Sequence, residues 1–415
     1  MAEIKNMLRE MNPWWNVEIK IEFRHREIYE EIKKFINTQQ IIAFTGLRRT
    51  GKTTLMLKIA EDFIRNGFDA KNIIYFSFDE LKGIEIRDII RQYEQIMNKD
   101  TRKEKHLLIL DEVQKLNGWN DQLKAFYDTF KNFKILISGS ESLFIRKKSQ
   151  ETLAGRIFEF KIEPLTFKEF LYFKGAKYEP LGLYEKELII LLGEYMLTMG
   201  FPEMVNKEKD VIKKYVKESV VEKIVYKDIP SIFRVKDIGV VESLLNIFMN
   251  EPGQIIEISG LAKELKISRQ AASNYLRYLE DAFIIKKLYN FSFNRRKIER
   301  KLKKYYPVLV SPALLFKEDD ASRSKIFEWL VVTQLGAEFF WRDPSKNEVD
   351  AVLVNGKTVP VEVKYGKIDT KGIEAFMRRF NIKEGYIISY NKEQEIKTNG
   401  MRIHVVPAYK FLLQK

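Results

Sequence analysis

The apolar positions of this chain fall into rhythms that divide it. In the first third, short unbroken runs (IIAFT from Ile41, IIYFSF from Ile73, HLLIL from His106, KILI from Lys134) alternate with stretches such as LMLKIAEDFI from Leu55, whose apolar residues recur at helical spacing. Continuous runs this short predict strands buried on both faces, and strands alternating with helices predict a parallel sheet covered by helices. Between residues 185 and 250 the spacing in EKELIILLGEYMLTMG and from Val211 to Ile229 is helical, which predicts a helical lid or connector. Two more helices follow, ISGLAKELKIS and RQAASNYLRYLED, joined by a short turn with Ser268 as N-cap, a helix-turn-helix pattern. In the last hundred residues a helix, KIFEWLVVTQL, precedes two strands, Val349 to Val354 and Thr358 to Val363, joined by the hairpin signal Asn355-Gly356.

Chemistry enters where the first strand stops. Gly46-Leu47-Arg48-Arg49-Thr50-Gly51-Lys52-Thr53, followed by Thr54, is a complete G-x-x-x-x-G-K-[ST] loop between a strand and a helix. Its glycines let backbone N–H groups curl round phosphates, Lys52 reaches the β and γ phosphates, and the Thr53 hydroxyl binds Mg²⁺. The strand ending in Asp111-Glu112 delivers two carboxylates to the edge where open α/β sheets bind ligands: Asp111 for the Mg²⁺ shell, Glu112 for the attacking water. Ser138 and Ser140, at the end of a further strand, are candidates for sensing the γ phosphate, and simple turn residues would look the same. Arg156 is a candidate finger for a neighbour's nucleotide site, or a structural ion pair.

The helix-turn-helix turns Arg269, Gln270, Ser273, Asn274 and Arg277 outward, side chains suited to phosphates and base edges. The run 286–306 holds nine Lys or Arg against one Glu, with Arg295, Arg296 and Lys297 at its centre and aromatics interleaved. Backbone charge attraction to DNA is the functional reading; a solvated hairpin or a protein-contact surface is the alternative.

In the terminal domain Asp350 and Glu362 fall at matching levels of paired strands. Lys364 follows Glu362 on the same face, and Glu328 lies near the start of the preceding helix. Glu328, Asp350 and Glu362 are candidate ligands for a divalent metal, with Glu362 and Lys364 catalytic, and a solvated hairpin is the plain alternative.

Composition narrows the choice. With 415 residues the chain has room for roughly two to four domains. The absence of Cys excludes disulfides, thiolate zinc sites and cysteine nucleophiles, and His25, His106 and His404 lack ligand spacing. The 72 Lys and Arg against 58 Asp and Glu give a net charge of +14, which suits a polyanionic partner. No secretory leader or membrane-length apolar run is legible, so a cytoplasmic protein without membrane association is expected.

The ordered set GLRRTGKTT, LLILDEVQ, ISGSESL, LAGR, EPLTFKEF and GFPE resembles the archaeal and bacterial AAA-type ATPases that carry a C-terminal DUF4143 domain, and the likeness covers nearly the whole chain. The D…E-x-K pattern at Asp350, Glu362 and Lys364 similarly resembles the restriction-endonuclease-like superfamily. The resemblance implies an α/β protein with a P-loop AAA-type ATPase domain (1–165), a helical lid or connector (166–238), a winged helix-turn-helix (239–306) and a restriction-endonuclease-like α/β domain (307–415). The phosphate loop with Asp111-Glu112 predicts ATP and Mg²⁺ as cofactors, the basic charge and helix-turn-helix predict DNA as partner, and Arg156 acting in trans would need a homo-oligomer; a nucleotide-dependent switch of the STAND type is the alternative.

Overall fold

The computed structural model describes residues 2–79, 83–139, 152–223, 226, 237–282, 284–294, 296, 298 and 302–414. The chain forms two compact units, Met1–Leu165 and Thr166–Lys415.

The described residues of the first unit form one sheet from β1 (Ile41–Thr45), β2 (Ile73–Ser77), β3 (His106–Asp111), β4 (Phe133–Ser138) and β5 (Ile157–Lys161). The strands are all parallel and ordered β2-β3-β4-β1-β5. Every residue of β1 and β3 is buried, the reason these segments read as unbroken apolar runs. Because β4 lies between β1 and β3, the loop leaving β1 and the acids leaving β3 emerge on either side of Ser138. The N-terminal segment covers the open edge of β2. The Asn12 side chain accepts from Tyr75 N–H and donates to its carbonyl, at 2.7 and 2.8 Å, and the Trp14 and Trp15 indoles both donate to Ile73 O. An edge satisfied this way offers no template for another strand.

The second unit opens with helices Phe167–Lys174 and Glu185–Thr198, the first closed by a capping box between Thr166 and Glu169. Its sheet joins, in the order β13-β14-β12-β11-β10-β9-β7-β8-β6, nine described strands. They are β6 (Gln254–Ile256), β7 (Ile285–Asn290), β8 (Lys303–Pro307), β9 (Phe339–Arg342), β10 (Glu348–Asn355), β11 (Lys357–Lys364), β12 (Glu384–Ser389), β13 (Gln394–Thr398) and β14 (Met401–Pro407). The hairpin of β7 and β8 is sewn to the rest by a parallel pairing of β7 with β9. A single sheet therefore runs across residue 306, which lies inside β8. Among the described residues no helix is long and apolar enough to cross a membrane.

Candidate functional site

The first site is built by three neighbouring strand ends. Gly46 and Gly51 adopt φ of +141° and +98°, backbone that only glycine takes without strain. At Gly46 there is a second reason: a Cβ would lie 2.3 Å from the Ile162 carbonyl oxygen, so the loop is seated against the segment that follows β5. Thr50 closes the loop by donating to Leu47 O at 2.9 Å. The buried Lys52 ammonium donates to Gly46 O and Leu47 O at 2.9 and 2.8 Å, within its own loop. Leu47 and Thr50 are buried, Arg48 is half-buried, and Arg49 and Thr54 are exposed.

Helix Lys52–Arg65 begins at the loop, and its first turn brings the Thr53 hydroxyl to Asp111 Oδ2 at 2.7 Å. The same oxygen accepts from Tyr75 OH at 3.0 Å. Asp111 Oδ1 accepts from the Glu112 N–H at 3.1 Å and from the Ser138 hydroxyl. Glu112 N–H also reaches Ser138 Oγ at 3.2 Å, and Glu112 turns away from the strand with φ +56°, its carboxylate accepting from Gln114. Lys52, Thr53, Asp111, Glu112 and Ser138 thus meet at one sheet edge. Ser140 lies outside the described residues.

Two residues of this site carry no motif. Tyr75 reaches it from β2, with a phenol proton held well above its ordinary range by burial and the Asp111 carboxylate. The Arg26 guanidinium spans from Thr50 O (3.0 Å) to Glu163 O (2.8 Å), tying the phosphate loop to the segment beyond β5.

Arg156 does not join this site. It precedes β5, and its carbonyl accepts from Ile41 N–H, so it marks the sheet edge where β1 begins, opposite the one where the loop leaves. Within this chain its guanidinium pairs with Asp128 at 3.0 and 3.2 Å.

In the second unit, helix Arg269–Asp281 is capped by Ser268, which accepts from Ala271 N–H at 3.1 Å. Arg269, Gln270 and Arg277 are exposed, and Ser273 and Asn274 half-buried, with Gln270 donating to Asn274 at 3.3 Å. Arg296 is exposed; Arg295 and Lys297 lie outside the described residues. The basic run is not one solvated surface. Lys287 pairs with Glu280 at 2.5 Å, and Lys304 is buried.

Lys304 is buried among the acids expected to hold a metal. Asp350 on β10 and Glu362 on β11 lie opposite each other, one step from the pair Ala351↔Val361. Yet the Lys304 ammonium donates to Glu328 at 2.9 Å, Glu348 at 2.8 Å and Asp350 at 3.1 Å. Tyr306 OH donates to the same Glu328 oxygen at 2.7 Å, and Val363 N–H to the other Asp350 oxygen at 2.9 Å. Glu362 accepts from Lys364 at 2.6 Å. Burial and the neighbouring Asp350 raise both Glu328 and Glu362 above the ordinary carboxylate range. Burial opposes the Lys304 charge, but Glu328, Asp350 and Glu348 outweigh it and keep the ammonium protonated far above its usual range. Among the described residues no group of three acids or histidines is arranged to hold a metal ion. Of the expected metal set, Glu328 and Asp350 each give an oxygen to the Lys304 ammonium, and Glu362 gives one to Lys364.

Residues 38–171 match the family model of an AAA domain, residues 190–313 a domain of unknown function (DUF8612), and residues 326–411 the domain of unknown function DUF4143. The uncharacterized protein MJ1544 of Methanocaldococcus jannaschii is 30% identical over 96% of this chain and 93% of its own length. The chain belongs to the family of AAA-domain proteins with a C-terminal DUF4143 domain. A second relative from that archaeon, uncharacterized protein MJ1637, is 29% identical over 95% of this chain and 89% of its own. Among solved structures, AMPPCP-bound DnaA from Aquifex aeolicus is similar with 17% identity and a TM-score of 0.28, covering 62% of this chain and 90% of that one. That likeness is too loose to transfer a residue's role. In this AAA–DUF4143 protein the first unit has the parallel P-loop sheet of the AAA fold, and the second has a mixed α/β sheet.

Proposed function

We propose that this protein hydrolyses ATP with Mg²⁺ at the edge of its first sheet and uses that cycle on DNA held by its second unit. The observation that carries the first half is the contact of Thr53 with Asp111, beside a lysine resting on its own loop carbonyls. A hydroxyl and a carboxylate side by side fit Mg²⁺, and an ammonium resting on loop carbonyls can turn to phosphate oxygens. Bound Mg²⁺ would supply charge neutralisation of the triphosphate. Thr53 and Asp111 would hold the ion, and Lys52 the β and γ phosphates. Glu112 would orient the water and take its proton as the oxygen attacks γ-phosphorus and the bond to ADP breaks. Ser138, bonded to both Asp111 and Glu112 N–H, would keep the two carboxylates in register.

What supports DNA as partner is the capped, exposed face of helix Arg269–Asp281, followed by the β7–β8 hairpin in the element order of a winged helix. The lysine in the carboxylate pocket favours binding over cutting as the role of the second unit, the part of a nucleotide-switch reading that a specific contact supports. Phosphate release measured with and without duplex, single-stranded and branched DNA tests the coupling. Stimulation by at least one form is expected, and a rate indifferent to all of them contradicts it.

A further inference from the structure

The acids of the second unit come from separate elements. Glu328 lies on helix Asp320–Leu335, Glu348 and Asp350 on β10. Lys304 and Tyr306 alternate on β8, so both face the same side of that strand, and both reach Glu328. The Lys304 side chain is only 3% exposed. Gly253, held at φ +81° and bonded to Tyr305 O at 2.9 Å, closes the pocket from the turn before β6. A Cβ there would stand 2.9 Å from Glu328 Oε1 and 3.3 Å from Lys304 Cε. Across the β10–β11 pairing, Glu362 keeps one oxygen, Oε2, buried and without a hydrogen bond.

A divalent ion needs oxygen ligands at about 2.0–2.6 Å, and it repels an ammonium that shares those oxygens. Both Asp350 oxygens are already engaged, one by the ammonium and one by a backbone N–H. We propose that Lys304 is the resident cation of this pocket: its single positive charge is shared by Glu328, Glu348 and Asp350 in place of a divalent metal, and it keeps a latent metal site shut. Without the ammonium, the three carboxylates and the unpartnered Glu362 oxygen would be released to draw together on a dication. With it, the pocket ties β8 to β10 and to the helix behind them.

The test is Mn²⁺ titration of the full chain, followed by electron paramagnetic resonance and thermal midpoint. It is done without nucleotide in a Lys52→Ala, Thr53→Ala background so that the phosphate loop contributes nothing. The parent is expected to show no tight Mn²⁺ site and no Mn²⁺-dependent rise in midpoint. Lys304→Met is expected to bind one Mn²⁺ at least tenfold more tightly than the parent, and to lose it again when Asp350→Asn is added. A Mn²⁺ site in the parent that Asp350→Asn abolishes overturns the proposal, and so does a folded Lys304→Met protein that gains no site. If Lys304→Met does not fold, Lys304→Met with Glu328→Gln removes one negative charge along with the positive one. Recovery of the fold supports the neutralising role, and failure of both variants overturns it.

Discussion

The Thr53 hydroxyl donates to Asp111 Oδ2 across 2.7 Å, joining the first turn of the phosphate-loop helix to the end of a strand two positions away in the sheet. Ser138, from the strand between them, donates to the other oxygen. Its contacts are thus to the Asp111 carboxylate and the Glu112 backbone, the groups that would set where metal and water sit. Ser138→Ala is expected to lower kcat for ATP about tenfold while nucleotide affinity stays within about threefold, since only a positioning bond is removed. Equal losses in affinity and turnover would return Ser138 to direct phosphate binding.

Gly46 is the tightest backbone approach in the loop. Gly46→Ala places a methyl against the Ile162 carbonyl in a conformation an L residue resists, and a destabilisation of about 2–4 kcal/mol is expected by urea unfolding. Gly51→Ala has open space around its Cβ apart from the Arg26 guanidinium at 3.9 Å. It is expected to cost less, and the opposite order would contradict the role given to Ile162.

Lys134 gives a pH dependence. Its half-buried ammonium donates to Phe35 O, Thr38 O and Gln40 O at 3.2, 2.8 and 2.8 Å, fastening the loop that leads into β1, and burial lowers its pKa to about 8. The unfolded chain holds that proton up to about pH 10.4. Between about pH 8 and that value the unfolded state binds more protons, so this lysine makes stability rise with pH. The urea midpoint of wild type relative to Lys134→Met is expected to climb across that window. Parallel pH curves would show that the folded lysine titrates normally.

The sequence made legible whatever was contiguous. Gly46 to Thr53 and Asp111-Glu112 are local strings whose strand context shows in the same few residues, and the structure brings them together at one sheet edge. The Ser268 cap was equally local. The partners that decide what the sites do were not: Tyr75 meets Asp111 across 36 residues, and Arg26 reaches Glu163 across 137. Lys304 stood in a run of nine cations, where it read as surface charge. Its carboxylates lie 24, 44 and 46 residues away, so only the pairing of β8 within the sheet turns it inward. Arg156 carried a motif, but motif alone did not tell which sheet edge it occupies.

DNA binding is expected to come from helix Arg269–Asp281 and to depend on salt. Replacing Arg269 and Arg277 together with Ala should flatten the slope of log affinity against log salt by up to roughly two, about 0.9 for each phosphate that is no longer neutralised. Lys304, though part of the basic run, is buried and contributes none of that slope. An unchanged slope in the double variant would assign DNA binding to another surface.

Hydrolysis at the edge shared by Lys52, Thr53, Asp111 and Glu112 is tested by phosphate release from Glu112→Gln, with nucleotide binding followed in the same samples. Removing only the group that orients water should leave ATP affinity within about threefold of wild type and reduce turnover by about 10²–10⁴-fold. Turnover in Glu112→Gln equal to that of wild type would show that Glu112 does not activate the attacking water.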